Sequence, residues 1–299
     1  MAKQEVMSFS KFRQRFSTEA ACREYLFSIR WPDGFVCPIC GCKKHYYIGT
    51  RNIYQCKACK HQTSATSGTV MHRSHLPMQT WFWAIYMIAK DKRGCSALRI
   101  SEEMGISYKT AWYLCHRIRY AMGQRDAEYI LAGIVELDDT YFGSPKKGGK
   151  RGRGTSKIKV LAGLSTNEED KPEYLKMQVV PDLKGKTIGK FAAQNIAVGT
   201  IINSDAYYSY RKPLAEKWLH QYRVFEPESG MLHWLHTAIG NAKEFVGGTY
   251  HGLSKKHMQN YLDEYCYRFN RRFFPGELFG RLLCAVVSTP ELSFSELSK

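Results

Sequence analysis

A mixed α/β domain behind a zinc ribbon and a helix-turn-helix is the fold class this sequence predicts, and three observations predict it. Four cysteines stand in two C-x-x-C pairs, Cys37/Cys40 and Cys56/Cys59, with fifteen residues between them. Residues 95–122 read as a helix, a Gly105-Ile106-Ser107 turn and a second helix. From about Asp126 onward, three apolar strands, a helix and a fourth strand follow one another, the pattern of a sheet with helices packed on it.

The 299 residues allow two or three domains. Nineteen Tyr and fifteen Phe supply enough apolar bulk for sizeable cores, which excludes a disordered chain. A net charge of +17 favours a polyanionic partner, because each Lys or Arg set on a phosphate releases counterions. The first fifteen residues are polar and basic, without the apolar stretch of a secretion signal. The longest apolar run, Trp81–Ala89, is too short to span a bilayer, so no membrane partner is expected. The scattered Cys22, Cys42, Cys95, Cys115, Cys266 and Cys284 read as small buried thiols of a reducing cytoplasm.

Residues 8–29 carry Phe12, Phe16, Ala20, Tyr25, Leu26 and Ile29 at helical spacing with a break at Ser17-Thr18-Glu19. One or two short basic helices are therefore expected within 1–33. The cysteine pairs occupy 34–66. Each C-x-x-C turns tightly enough to offer two thiolates, and short strands on either side of Gly49-Thr50-Arg51 bring the pairs round one structural zinc ion. Cys42 is a weaker substitute ligand. Lys43, Lys44, Arg51, Lys57 and Lys60 make this knob basic, which suits nucleic acid. Within 67–125, a helix after Pro77 buries Trp81, Phe82, Ile85 and Ile88. In the helix pair that follows, Gly105 supplies the left-handed residue at the turn and Ser107 caps the second helix. The first turn of that helix, Tyr108, Lys109 and Thr110, is expected to face a major groove; an ordinary helical hairpin is the plainer reading.

Beyond Asp126, strands are expected at 130–137, 158–165, 174–180 and 200–204, with a helix at 185–196. Ser144–Lys159 holds seven Lys or Arg among several glycines, and no acid occurs from Thr140 to Asn167. Lys146, Lys147, Lys150, Arg151 and Arg153 are therefore expected to contact DNA phosphates, a solvated loop being the plainer alternative.

Two acidic segments stand at the expected ends of apolar strands: Glu136-Leu137-Asp138-Asp139 and Asn203-Ser204-Asp205. Strand alternation sends Glu136 and Asp138 to one face and Leu137 and Asp139 to the other. A carboxylate at a buried strand edge is costly unless it is paired or on a metal. Two of them on adjacent strands can hold two magnesium ions about 4 Å apart, the arrangement used in phosphoryl transfer. Taken alone, the same residues could equally be caps of helices or loops.

Residues 130–272 resemble the catalytic domain of ISXO-like insertion-sequence transposases. The matching segments are V-E-L-D-D-T-Y-F-G, K-R-G-R-G, I-N-S-D-A-Y-Y-S-Y, H-T-A-I-G-N-A-K-E-F, G-T-Y-H-G-L-S-K-K-H-M-Q-N-Y-L-D-E and Y-R-F-N-R-R. The cysteine ribbon resembles the same family's N-terminal zinc module. The resemblance implies an RNase H-like fold with a mixed five-stranded sheet over 126–290 and a tail at 291–299. It also implies a metal triad of Asp138, Asp205 and Asn241. Glu244, three residues on and on the same helix face, is the alternative third ligand. Asp139 is read as supporting. His236, Lys243, His251, Lys255 and Lys256 are expected at DNA, as are Arg268, Arg271 and Arg272; a solvated face or a satisfied structural histidine is the plainer reading.

The implied activity is a DNA transposase. It would bind the terminal inverted repeats of its element, cleave the ends and join the 3′-hydroxyls to target DNA. One structural zinc and two catalytic Mg2+ or Mn2+ ions would serve it. Double-stranded DNA is the expected partner, engaged by a dimer or larger homo-oligomer in the cytoplasm, at the nucleoid. Two other classes are a zinc-dependent DNA-binding regulator with a degenerate C-terminal domain and a stand-alone nuclease that cuts without strand transfer.

Overall fold

The computed structural model describes residues 7–143, 148, 152–224, 226, 230–251, 253–293 and 296–297. The expected phosphate contacts Lys146, Lys147, Lys150 and Arg151 lie outside the described residues. The chain divides into two compact units, one made of 1–124 with 273–299 and the other of 125–272.

In the first unit, α1 (Phe9–Arg15) and α2 (Glu19–Arg30) are separated at Ser17-Thr18, and the Thr18 hydroxyl caps α2 through the Ala21 N–H. Three short antiparallel strands form the ribbon: β1 (His45–Ile48), β2 (Ile53–Cys56) and β3 (Gln62–Thr63). The helix α3 (Met78–Lys90) has no side-chain cap of its own. Instead Glu19 accepts from the N–H groups of Met78 and Gln79 at 2.8 and 3.0 Å, a carboxylate at the positive end of the helix. The expected helix pair is α4 (Ala97–Met104) and α5 (Tyr108–Ala127). Gly105 turns between them at φ +60°, and the Ser107 hydroxyl accepts from Thr110 N–H.

The α/β stretch expected over 126–290 ends earlier in its packing. Helix α10 (Leu278–Ser288) belongs to the first unit. Its Phe279 packs edge-on against Phe12, and Val70 N–H bonds the Thr289 carbonyl. The aromatic face of α3 recruits that helix, a long-range pairing that local sequence pattern does not encode. Cys284, expected to be buried, is exposed.

The second unit is one sheet with helices on both faces. Its strands are β4 (Ile134–Phe142), β5 (Ile158–Thr166), β6 (Pro172–Val180), β7 (Ile201–Asp205) and β8 (Leu219–Arg223), in the order β6-β5-β4-β7-β8. The first three are antiparallel neighbours; β4, β7 and β8 run parallel. Helices α6 (Gly185–Asn195) and α7 (Tyr208–Ala215) cover one face, with Val135, Leu137, Ile188, Phe191 and Leu214 in the core beneath them. Helices α8 (His233–Thr249) and α9 (Met258–Phe269) cover the other, over Val160, Ala162, Leu175 and Met177. This is the mixed RNase H-like architecture. β4 runs to Phe142 instead of ending at Leu137, because Thr140 and Phe142 continue its buried alternation, so Asp138 lies within the strand and not at its end.

Candidate active site and zinc centre

The ribbon builds its metal site from two copies of one turn. In each, the first cysteine's carbonyl accepts from the N–H four residues on: Gly41 to Cys37 at 2.9 Å and Lys60 to Cys56 at 3.1 Å. Both closing residues take left-handed backbone, Gly41 at φ +70° and Lys60 at φ +61°. Only the glycine does so without steric cost. The four cysteines are the only group of three or more His, Cys, Asp or Glu among the described residues whose donor atoms all lie within 4.8 Å of one another. The Cys37–Cys59 and Cys40–Cys56 sulfur pairs are both 3.6 Å apart. A tetrahedral zinc with bonds of about 2.3 Å needs sulfurs about 3.8 Å apart, so the cage fits the ion. Cys42 stands outside it, its thiol directed at the Lys44 carbonyl.

The carboxylates are brought together by register. β4 and β7 pair in parallel from Ile134↔Ile201 to Leu137↔Ser204, and the next step along both strands carries Asp138 and Asp205 to one level. Alternation then sorts β4 as expected. Glu136 and Asp138 face α8, whereas Asp139 and Tyr141 face α7. Glu136 accepts from Leu235 N–H at 2.6 Å, in the first turn of a helix that lacks its own side-chain cap. That bond fixes the start of α8 on β4 and brings His236 over Asp138, with Nε2 3.0 Å from a carboxylate oxygen. Burial, with further pressure from Asp139 and Asp205, pushes the Asp138 carboxyl up. The hydrogen bond to Asp138 in turn raises the His236 imidazole above its ordinary value.

On the other side, Arg153 bridges the two acidic segments. Its guanidinium reaches Asp139 at 2.9 Å and Asp205 at 2.7 Å and stacks on Tyr207 with its carbon 3.8 Å from the ring centre. The Tyr207 N–H donates to Asp205 at 3.1 Å, and the hydroxyls of Tyr141 and Tyr210 donate to Asp139 at 2.8 and 3.3 Å. Burial drives the Tyr210 phenol well above its ordinary range, so it stays a donor. Asp139 takes three side-chain donors, whereas Asp138 has one backbone N–H, that of Asp139 at 2.7 Å, and His236, and Asp205 has the Tyr207 N–H and Arg153. The donor chemistry suits a divalent cation, and the guanidinium on Asp205 is a cation already standing there. Asp138, Asp205 and His236 are more widely spread than the cysteines, so this is an open site.

No hydrogen bond among the described residues links Asn241 to these acids. Asn241 and Glu244 are exposed on α8, and among the described residues Asn241 makes no hydrogen bond. Five residues from His236 is about 140° round a helix, so the face that meets Asp138 carries His236 and, two turns on, Lys243. Partial burial and the neighbouring Lys157 lower the Lys243 ammonium, and Asp138 draws it the other way. His251, Lys255 and Lys256 are exposed in the approach to α9. Tyr108 and Lys109 are exposed at the start of α5, with Thr110 partly buried beside the cap.

Three arginines expected at DNA have structural partners. Arg271 is buried against Asp126 at 2.7 Å, Arg268 pairs with Glu264 at 3.1 Å, and Arg272 bonds the carbonyls of Pro172 and Glu173. Their helical spacing looked like a charged face because the sequence does not show that Asp126 and Glu264 are buried within reach. The Glu136 bond to α8 and the Arg153 bridge were likewise missed. A period-two reading of 136–142 could have paired Glu136 with Asp138, but no sequence signal pointed to the helix terminus it serves.

Residues 130–270 match the ISXO2-like transposase domain, and residues 17–62 match the transposase zinc-ribbon domain. An uncharacterised protein in the transposable element ISH50 of Halobacterium salinarum is 29% identical over 154 residues, 50% of this chain and 50% of its own. The chain therefore spans about half the length of that relative. Among solved structures, the Mos1 strand transfer complex aligns at TM-score 0.30 and 13% identity, covering 71% of this chain and 78% of that one. The Mos1 paired-end complex with the left transposon end aligns at 0.21 and 9%, covering 70% and 80%. No helix among the described residues is long and apolar enough to cross a membrane.

Proposed function

We propose, for a chain that belongs to the ISXO2-like transposase family, that it cuts the ends of its own element and joins them to target DNA at Asp138 and Asp205. One observation carries this reading. Two carboxylates more than sixty residues apart in sequence reach one level of adjacent parallel strands, with a histidine from a third element on the first of them. Asp138 and Asp205 would hold divalent ions, Mg2+ or Mn2+, with His236 orienting Asp138 in place of the third ligand that the resemblance puts at Asn241. Such ions, when bound, polarise the scissile phosphate and favour the ionised form of the attacking oxygen.

The remaining groups then have defined work. The His236 hydrogen bond holds the Asp138 carboxylate in one orientation. Lys243 places positive charge beside Asp138, with Lys157 near it, where a DNA phosphate would be neutralised. Arg153 can exchange its carboxylates for a phosphate at little geometric cost, since its planar fork suits either. The zinc ribbon and the α4/α5 pair would grip the element ends, with Tyr108 and Lys109 toward a groove and two or more copies on double-stranded DNA, at the nucleoid.

The test is metal-dependent nicking and joining of element-end DNA by the purified chain. Asp138→Asn and Asp205→Asn should each lower cleavage by on the order of 10³-fold or more while leaving DNA affinity intact. Cleavage that survives in both variants at the wild-type rate would overturn the assignment. No cleavage by wild type under any divalent metal would favour the DNA-binding regulator, and cutting without joining would favour the nuclease.

A further inference from the structure

Beside Asp205 lies a cleft that the cutting chemistry leaves unused. It is about 520 Å³ in volume, sits between α6 and α7, and is lined by Tyr208, Lys186, Lys212 and Lys217 over Gly185 and Gly189. That volume is in the range of pockets that take small ligands. The two glycines set how closely the helices approach. A Cβ on Gly189 would come within 3.1 Å of the Pro213 side chain, and one on Gly185 within 3.4 Å of the Ser209 carbonyl oxygen.

The aromatic wall is tied to the active site. Tyr208 opens α7 three residues beyond Asp205 and is 73% exposed, so much of its ring is open to a ligand. Its ring meets Tyr207 at 4.8 Å, and Tyr207 is itself fixed by its N–H on Asp205 and by Arg153 above its face. Tyr208 and Lys212 are one helical turn apart, so a ring and an ammonium share a face. No ion pair with a described residue engages Lys186, Lys212 or Lys217, and Glu216 is the one acid in the lining.

We propose that this cleft is a subsite for one unpaired nucleotide of the DNA strand being processed, with its base stacked on Tyr208 and its phosphate among the three lysines. A base still paired in a duplex offers only its edges, whereas an unstacked base offers the π face that a tyrosine platform recognises. The proposal rests on the DNA-processing reading and adds to it a position next to Asp205 at which a strand end is held open.

The experiment uses the full chain without added Mg2+ or Mn2+, so that no cleavage intervenes. Two DNAs are compared, a blunt duplex and one with a short single-stranded overhang carrying 2-aminopurine. Binding is read by anisotropy and stacking by 2-aminopurine fluorescence. Wild type should quench the probe and prefer the overhang DNA. Tyr208→Ala should abolish the quenching and weaken overhang binding about tenfold. Blunt-duplex binding should stay unchanged, and Tyr208→Trp should keep both signals. Lys212→Gln should lower the overhang preference without removing the quenching. Quenching that is indifferent to Tyr208→Ala, or equal weakening on both DNAs, would overturn the subsite. Failure of wild type to bind either DNA would overturn the DNA-processing reading itself.

Discussion

The cysteine cage and the carboxylate site are both built for cations, yet they are assembled in opposite ways. The cage is local: its ligands lie within a stretch from Cys37 to Cys59, and each half is a turn closed by its own backbone bonds. The carboxylate site is remote. Asp138 and Asp205 meet through strand register, and His236 arrives because a helix without its own cap borrows Glu136 from β4. A local cage has its donors at bonding distance before the ion arrives. A remote one stays open, with Arg153 holding Asp139 and Asp205 together. The difference fits the roles proposed for them, since a structural ion must be enclosed and a catalytic ion needs free positions.

The sharpest break in the comparison comes from removing zinc. A structural zinc supplies on the order of 10 kcal/mol of folding free energy. Chelation or Cys56→Ser should therefore unfold residues 34–66, read as collapse of the ribbon's amide signals in NMR. A folded ribbon in metal-free protein would contradict the cage. The second effect lies in the α/β unit. Arg271→Leu leaves Asp126 buried without its cation, which should cost about 3–5 kcal/mol in chemical denaturation. The same change should leave the salt dependence of DNA binding where it was; a lower salt slope would return Arg271 to the DNA contacts. The smallest effect sharpens the likeness of the two cysteine turns. Lys60→Gly relieves a left-handed lysine and should stabilise the zinc-bound ribbon by about 1 kcal/mol, measured as a rise in its melting temperature.

What could be read from the sequence follows the same divide. The zinc ligands, the Gly105 turn and the Ser107 cap are written within a few residues, and spacing alone places them. Strand alternation also put Asp138 and Asp139 on opposite faces, as the two sets of partners require. The rest depends on partners distant in the chain. Whether Arg271 meets solvent or Asp126, and whether α10 joins the first unit, is decided by packing between segments more than one hundred residues apart. The third site residue was placed by motif position on α8, but the helix's rotation is set by Glu136 and the apolar residues beneath it. That rotation sets His236 on Asp138 and leaves Asn241 exposed.

The central claim, that α8 serves the Asp138 site through His236, is tested most directly by measuring Mn2+ affinity by EPR on His236→Ala and Asn241→Ala proteins bound to element-end DNA. The account predicts a loss of about 10- to 100-fold for His236→Ala and a change within about twofold for Asn241→Ala. The reverse ranking would contradict it.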